Sequence, residues 1–332
     1  MLNSSYVDRQ SQSPADIALR LSGEITRVLA PYLTQEPFAL LDFPDHNNVG
    51  DSAIAIGELD FFRGHGLTPS YVSTVDRHSH HKVRGLGKIF LHGGGNFGDL
   101  WPNYQAHREA VLARHPDIPI VQLPQSIHFQ SADALARTQR AISTHKDFTL
   151  LVRDLKSLAF AHQHFDCRAE LCPDMAFAMG MIPRLVKPQR ALLLLLRTDH
   201  EKRAGNGTPE QLTAHTDIRD WVAEYPFTRT NIVLAMANQI YAPDLKFRYF
   251  HRLVRHRLTR GCRLLSNYER VVSDRLHVHI LCTLMAIPHV VLDNSYGKIG
   301  GFIEAFKTEW PGMARAETLD EAISAAQQLP ER

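Results

Sequence analysis

The apolar residues of this chain come in short unbroken runs rather than in alternation. FALLDF at 38–43, KIFLH at 88–92, PIVQL at 119–123 and FTLLV at 148–152 each read as a strand buried on both faces. Weaker runs near 69–75 and 169–172 join them. Segments with helical spacing lie between, predicting helices near 15–30, 52–64, 103–114, 131–144 and 155–164. Strands alternating with helices in this way predict an α/β fold with parallel sheets. A stretch at 181–189 carries Pro183 and Pro188 and reads as a linker. A second α/β unit follows, with strands at RALLLLLR and near 270–273 and 289–293. Its helices are expected near 244–265 and 275–285, with further helices to the end. The expected organisation is two doubly wound domains, 1–182 and 183–332, with a ligand cleft between their strand carboxyl ends.

Composition narrows the class. The chain has 332 residues, 44% hydrophobic and 22% charged, as in a soluble globular protein. A formal charge of +2 gives no reason to expect nucleic acid as a partner. The polar opening segment lacks the pattern of a signal peptide, and the longest apolar run, ALLLLL at 191–196, is too short to span a membrane. Cys167, Cys172, Cys262 and Cys282 form no CxxC pair, and no Cys/His spacing matches a structural zinc site. A cytoplasmic setting is expected, with room for a peripheral place on the inner membrane. The 19 histidines are many, and most are expected to be surface or core residues without a chemical role.

Candidate chemistry gathers at the predicted strand ends. Asn47-Asn48-Val49-Gly50-Asp51 follows the first strand; Gly50 would let backbone approach a ligand, and Asp51 would accept a hydroxyl proton or else cap the next helix. His92-Gly93-Gly94-Gly95-Asn96-Phe97-Gly98 satisfies G-x-G-x-x-G, but after the third strand and with no acidic residue placed for a ribose, so a dinucleotide fold is disfavoured. Its glycines would leave backbone N–H groups for a sugar or anion, or simply make a tight turn. Arg153 closes the FTLLV strand, where its planar fork suits a carboxylate, a phosphate or an internal acid. Ser273-Asp274-Arg275-Leu276-His277 opens a helix that is apolar for the rest of its length. That mouth would offer N–H groups, the positive dipole end, Arg275 and His277 to an anion. His279 lies about 200° round that helix from His277 and reads as a core histidine. In Leu292-Asp293-Asn294-Ser295-Tyr296-Gly297-Lys298, Lys298 reads as a mobile phosphate contact or a solvated side chain. Arg197-Thr198-Asp199 is a weaker candidate. The arginine-rich stretch Phe247–Leu265 would lie on an anionic membrane or, preferably, form a solvated helix face.

Taken in order, the N-x-G-D, H-G-G-G-N, Arg153, S-D-R-L-H and L-D-N-S-Y-G-K segments resemble the polysaccharide pyruvyltransferase family, over roughly Leu40 to Phe306. The last segment particularly resembles members that decorate exopolysaccharides. The resemblance implies two Rossmann-like domains facing across a cleft, in a GT-B-like arrangement. It implies phosphoenolpyruvate as donor, a sugar acceptor that can be lipid-linked, and neither metal nor cofactor. Arg153, Arg275 and His277 match residues that hold or act on the donor, and Asp51 matches an acceptor-side aspartate. Asn48, Gly50, His92, Gly94, Gly95 and Asn96 complete the expected acceptor loops, and Lys298 joins the donor side. The polar stretch near 199–230 matches no family motif. Proton delivery by His277 and hydroxyl activation by Asp51 fit the required chemistry. The competing expectations are a nucleotide-sugar glycosyltransferase and a non-catalytic sugar- or anion-binding protein.

Overall fold

The structure is a computed structural model describing residues 12–197, 216–221, 243–293 and 297–330; of residues 216, 243–249 and 298 it describes the backbone alone. Each unbroken apolar run becomes a strand with both faces covered, as in β1 (Phe38–Leu41), β3 (Lys88–Leu91) and β6 (Phe148–Val152). With β2 (Tyr71–Ser73), β4 (Gly94–Gly98), β5 (Ile120–His128) and β7 (Arg168–Leu171) they form a seven-stranded sheet. Its order is β2-β1-β3-β5-β6-β7, with β4 paired to β5. The second sheet has five strands: β8 (Arg190–Leu195), β9 (Thr216–Arg219), β10 (Tyr268–Ser273), β11 (His289–Leu292) and β12 (Met313–Ala316). Their order is β12-β11-β10-β8-β9, and the pairings within it are parallel, as they are in the first sheet.

The helices are α1 (Pro14–Leu29), α2 (Val49–Gly64), α3 (Pro102–Arg114), α4 (Ala132–Ser143), α5 (Leu155–His164), α6 (Pro243–Ser266), α7 (Leu276–Leu284), α8 (Lys298–Phe306) and α9 (Leu319–Gln328). Helix α1 opens with a capping box between Ser13 and Asp16. Helix α2 is buried along most of its length and packs against α6 and the tight 3-10 turn Met175–Met179. One hydrophobic cluster therefore joins the two halves: Ile25, Leu40, Ile56 and Phe62 belong to it together with Val254, Ile280 and Phe302.

Four features depart from the sequence pattern. The glycine motif predicts a loop at β4, yet this segment pairs with β5. β5 runs past its predicted end, and its register shifts between Gln122 and Gln125, where Pro124 cannot donate to the ladder. β9 and β12 have no counterpart among the predicted strands. Among the described residues both are edge strands, TDIR and MARA, so no apolar run marks them. Helix α2 begins at Val49, inside the N-x-G-D motif, rather than at 52.

The close seat of α2 requires Gly57. A Cβ there would fall 1.9 Å from the carbonyl oxygen of Met175. Backbone cannot yield as a flexible side chain would, so Gly57→Ala should destabilise the fold by about 1–3 kcal/mol. Denaturant unfolding measures it, and an unchanged midpoint would refute the packing described.

Candidate functional site

Four strand ends of the first sheet and the mouth of α7 meet at one place. Arg153 follows β6 and is 3% exposed. Its Nη1 donates to Asp174 Oδ2 at 2.5 Å and its Nε to Ser126 Oγ at 3.1 Å. Asp174 follows β7 through Cys172 and Pro173, and it also caps the 175–179 turn by accepting from the Ala176 amide. His277, in the first turn of α7, brings its Nε2 to 3.4 Å from the same Asp174 oxygen. One buried carboxylate thus gathers a guanidinium from the first sheet and an imidazole from the second. Burial alone would raise the Asp174 pKa, but His277, Arg153 and the Ala176 amide together hold it well below the usual carboxylate range.

Gly50 makes room for this arrangement. A Cβ there would lie 2.4 Å from His277 Nδ1, so the close approach made possible by this glycine is to the catalytic candidate itself. Asn48, rather than Asp51, caps α2 by accepting from the Gly50 amide at 3.0 Å. Asp51 is left in the first turn, with its Oδ2 3.5 Å from His46 Nε2. Burial pushes Asp51 up, and the charges of His46, His277, His92 and Arg153 pull it below its ordinary value.

The glycine motif has a structural job. His92 is 2% exposed and its Nδ1 pairs with Glu58 Oε2 at 2.8 Å, while Nε2 is buried without a hydrogen-bond partner. The amides expected to serve a ligand are partly taken: Gly93 donates to Glu58, Asn96 to Gln125 and Gly98 to Gln105. Gly94 and Gly98 adopt positive φ of 138° and 123°, and Gly95 lies half-buried in β4. The Asn96 side chain accepts from Arg108 and Gln125, both at 2.9 Å.

Arg275 points elsewhere. Its Nη2 lies 2.8 Å from both carboxylate oxygens of Asp220, just beyond β9, so its fork is engaged within the second half of the chain. No side chain caps α7; Ser273 Oγ accepts from the Arg275 amide, and Asp274 Oδ1 accepts from the Arg197 amide. The α8 mouth is filled by Asp293, which accepts from the amides of Ile299 and Gly300. The Lys298 side chain, Thr198 and Asp199 lie outside the described residues. His279 is a core histidine, bonded to His289 and Thr308 at 2.8 Å each. In the arginine-rich helix, Arg257 is buried and lies 3.6 Å from Asp45, and Arg260 donates to the carbonyls of Trp221 and Asn47.

Three acidic contributors are absent from the motifs. Asp174 follows the predicted strand 169–172 just as Arg153 follows its own, and that position is the signal that marks it. Glu58 sits mid-helix and Asp42 inside FALLDF, where only the fold reveals them. Asp42 has φ of 62° and is 2% exposed, with neither carboxylate oxygen hydrogen-bonded and Arg108 Nη2 at 3.8 Å. Burial raises its pKa to about 7, against the opposing pull of Arg108 and His92.

Comparisons with known proteins bear on the family of the chain and on its fold. The model of the family described as "Polysaccharide pyruvyl transferase" matches residues 48–296. The chain belongs to that family. It is 32% identical over 320 residues to "Putative pyruvyl transferase EpsO" of Bacillus subtilis, covering 94% of this chain and 97% of the relative. It is also 32% identical to "Pyruvyl transferase 1" of Schizosaccharomyces pombe, covering 80% of this chain and 68% of that one. A solved structure of an uncharacterized Klebsiella pneumoniae protein shares the fold, with a TM-score of 0.59 at 18% identity, over 89% of this chain and 98% of the other. The protein is therefore a transferase of the pyruvyl-transferring kind, and no described helix is long and apolar enough to cross a membrane.

Asp42 gives a pH test. Its native pKa is raised above that of the unfolded chain, so it favours folding at low pH, and that contribution is lost as pH rises from about 4 through 7. Asp42→Asn should therefore gain stability relative to wild type between pH 5 and pH 8. Urea unfolding at both values measures this, and a pH-independent difference would count against the buried carboxyl.

Proposed function

We propose that the protein transfers the pyruvyl group of phosphoenolpyruvate onto two hydroxyls of a sugar as a cyclic ketal. The sugar belongs to an exopolysaccharide or to its lipid-linked precursor. The observation that carries this reading is the convergence of Arg153 and His277, from opposite halves of the chain, on Asp174 beside Asp51. In this reading the two sheets are Rossmann-like domains in a GT-B-type arrangement. Residues 1–182 are the acceptor side and 183–332 the donor side.

Phosphoenolpyruvate presents a phosphate and a carboxylate, which call for cationic and N–H partners. Arg153 and the uncapped mouth of α7 supply them, and Lys298 and Arg275 are assigned to the same side. Arg275 would exchange its Asp220 contact for the donor. His277 delivers a proton to the methylene carbon while Asp51 takes one from the attacking sugar hydroxyl. Carbon–oxygen bond formation gives a tetrahedral adduct that still bears phosphate. Phosphate leaves, and the second hydroxyl closes the ring. One hydroxyl proton ends in the new methyl group and the other departs with phosphate, so the reaction balances without a further cofactor. Asp174 fixes the His277 ring and the Arg153 fork in position. The exposed Arg252, Arg255 and Arg263 would meet the anionic surface that carries a lipid-linked acceptor.

The test mixes purified protein, phosphoenolpyruvate and a nitrophenyl or lipid-linked sugar. Phosphate release is expected only with both substrates, together with a product heavier by the pyruvyl group. His277→Ala should lower the rate by about 10²–10⁴-fold. Wild-type turnover in that variant, or turnover of a nucleotide sugar without phosphoenolpyruvate, would refute the assignment.

A further inference from the structure

Away from the Arg153–Asp174–His277 cluster, a second group of histidines closes on itself. His78 and His80 lie in the connection from β2 to β3, around the short 3-10 turns Val75–Arg77 and His80–Lys82. His115 follows the last turn of α3. His78 Nε2 is 3.1 Å from His80 Nδ1, and His80 Nδ1 is 3.0 Å from His115 Nε2. All three ligand-capable nitrogens lie within 4.8 Å of one another.

Hydrogen bonds alone do not satisfy this arrangement well. Arg114 Nη1 lies 3.3 Å from His80 Nε2, and a guanidinium only donates, so that nitrogen must accept. The single ring proton of a neutral His80 then sits on Nδ1. It faces two acceptor nitrogens and can point fully at only one of them. A cation in the middle would use all three lone pairs at once. Imidazole nitrogens about 2.0–2.1 Å from a tetrahedral zinc ion stand about 3.3 Å apart, close to the two spacings observed.

The surroundings suit a metal. Ser73 Oγ, at the end of β2, lies 3.2 Å from His78 Nδ1 and leaves Nε2 aimed at the cluster. The His107 ring on α3 is 5.1 Å from that of His78, and its Nε2 is buried with no hydrogen-bond partner.

We propose that His78, His80 and His115 form a three-imidazole site for a divalent late first-row cation of the zinc kind. The ion clasps the β2–β3 connection to the C-terminal end of α3 and keeps one coordination position for water or His107. Three nitrogen ligands with no thiolate and no carboxylate favour zinc, copper, nickel or cobalt over magnesium or calcium. Loading moves the His80 proton to Nε2 and releases Arg114. Helix α3 also carries Arg108, whose guanidinium contacts Asn96, Gln105 and Gln122 beneath the glycine motif. The clasp therefore steadies one wall of the proposed acceptor side without taking part in transfer.

The experiment uses the full chain without a histidine tag, stripped with chelator and titrated with Zn²⁺ against a chromophoric indicator. A parallel titration uses Co²⁺, read by its visible absorption. One retained equivalent of each ion is expected, with the intense band of four-coordinate cobalt and a rise in melting temperature on adding Zn²⁺. His80→Ala, a half-buried position whose folding circular dichroism checks, should weaken binding by about 100-fold or more and abolish the thermal shift. His78→Ala should do the same. Absence of a saturable equivalent, or binding unchanged in both variants, overturns the proposal.

Discussion

A carboxylate that shares one oxygen between an arginine and a histidine must be held still, because each partner tolerates only a narrow geometry. Asp174 is in that position. It is 1% exposed, and its partners come from different sheets. Removing it would leave Arg153 buried without its hydrogen-bonded carboxylate, a change that costs several kcal/mol in comparable sites. The elements around it are arranged accordingly. β7 is followed by Cys172 and Pro173 and delivers the carboxylate. β6 delivers the guanidinium, and Gly50 gives the His277 ring space against α2.

Helix α2 is the mechanical centre of the molecule. Its N-terminus carries Asp51, its middle carries Glu58 for His92, and Gly57 lets it touch the backbone at Met175. A single helix thus sets the height of the glycine motif, the position of the Asp51 carboxylate and the seat of His277. The arginines of α6 serve this centre too. Arg257 lies beside Asp45 and Arg260 reaches the carbonyl of Asn47, tying the basic helix to the loop that starts α2.

Much of this is legible in the order of the residues. Continuous apolar runs mark the interior strands because both of their faces are covered, and the strand ends hold Asp51, His92, Arg153 and His277. Strands such as TDIR and MARA, at the edges of the sheet among the described residues, escape notice because no apolar run is needed there. Asp42 escapes because an acid inside FALLDF gives no sign of its left-handed backbone. Arg275 shows another limit. Its position at a helix mouth is plain, but the direction of its guanidinium depends on Asp220, 55 residues away in sequence. The histidine cluster combines two neighbours in sequence with His115, 35 residues beyond His80, so no local spacing announces it.

The continuous hydrophobic cluster that includes Ile56, Val254, Ile280 and Phe302 has a consequence for how a polymer is handled. Jaws that swing apart need a joint that can open, and uncovering each such side chain costs roughly 1.5–3 kcal/mol. The two halves are accordingly fused along their inner faces. On the proposed reading, the acceptor sugar meets the site at the rim where strand ends lie, not between separating jaws.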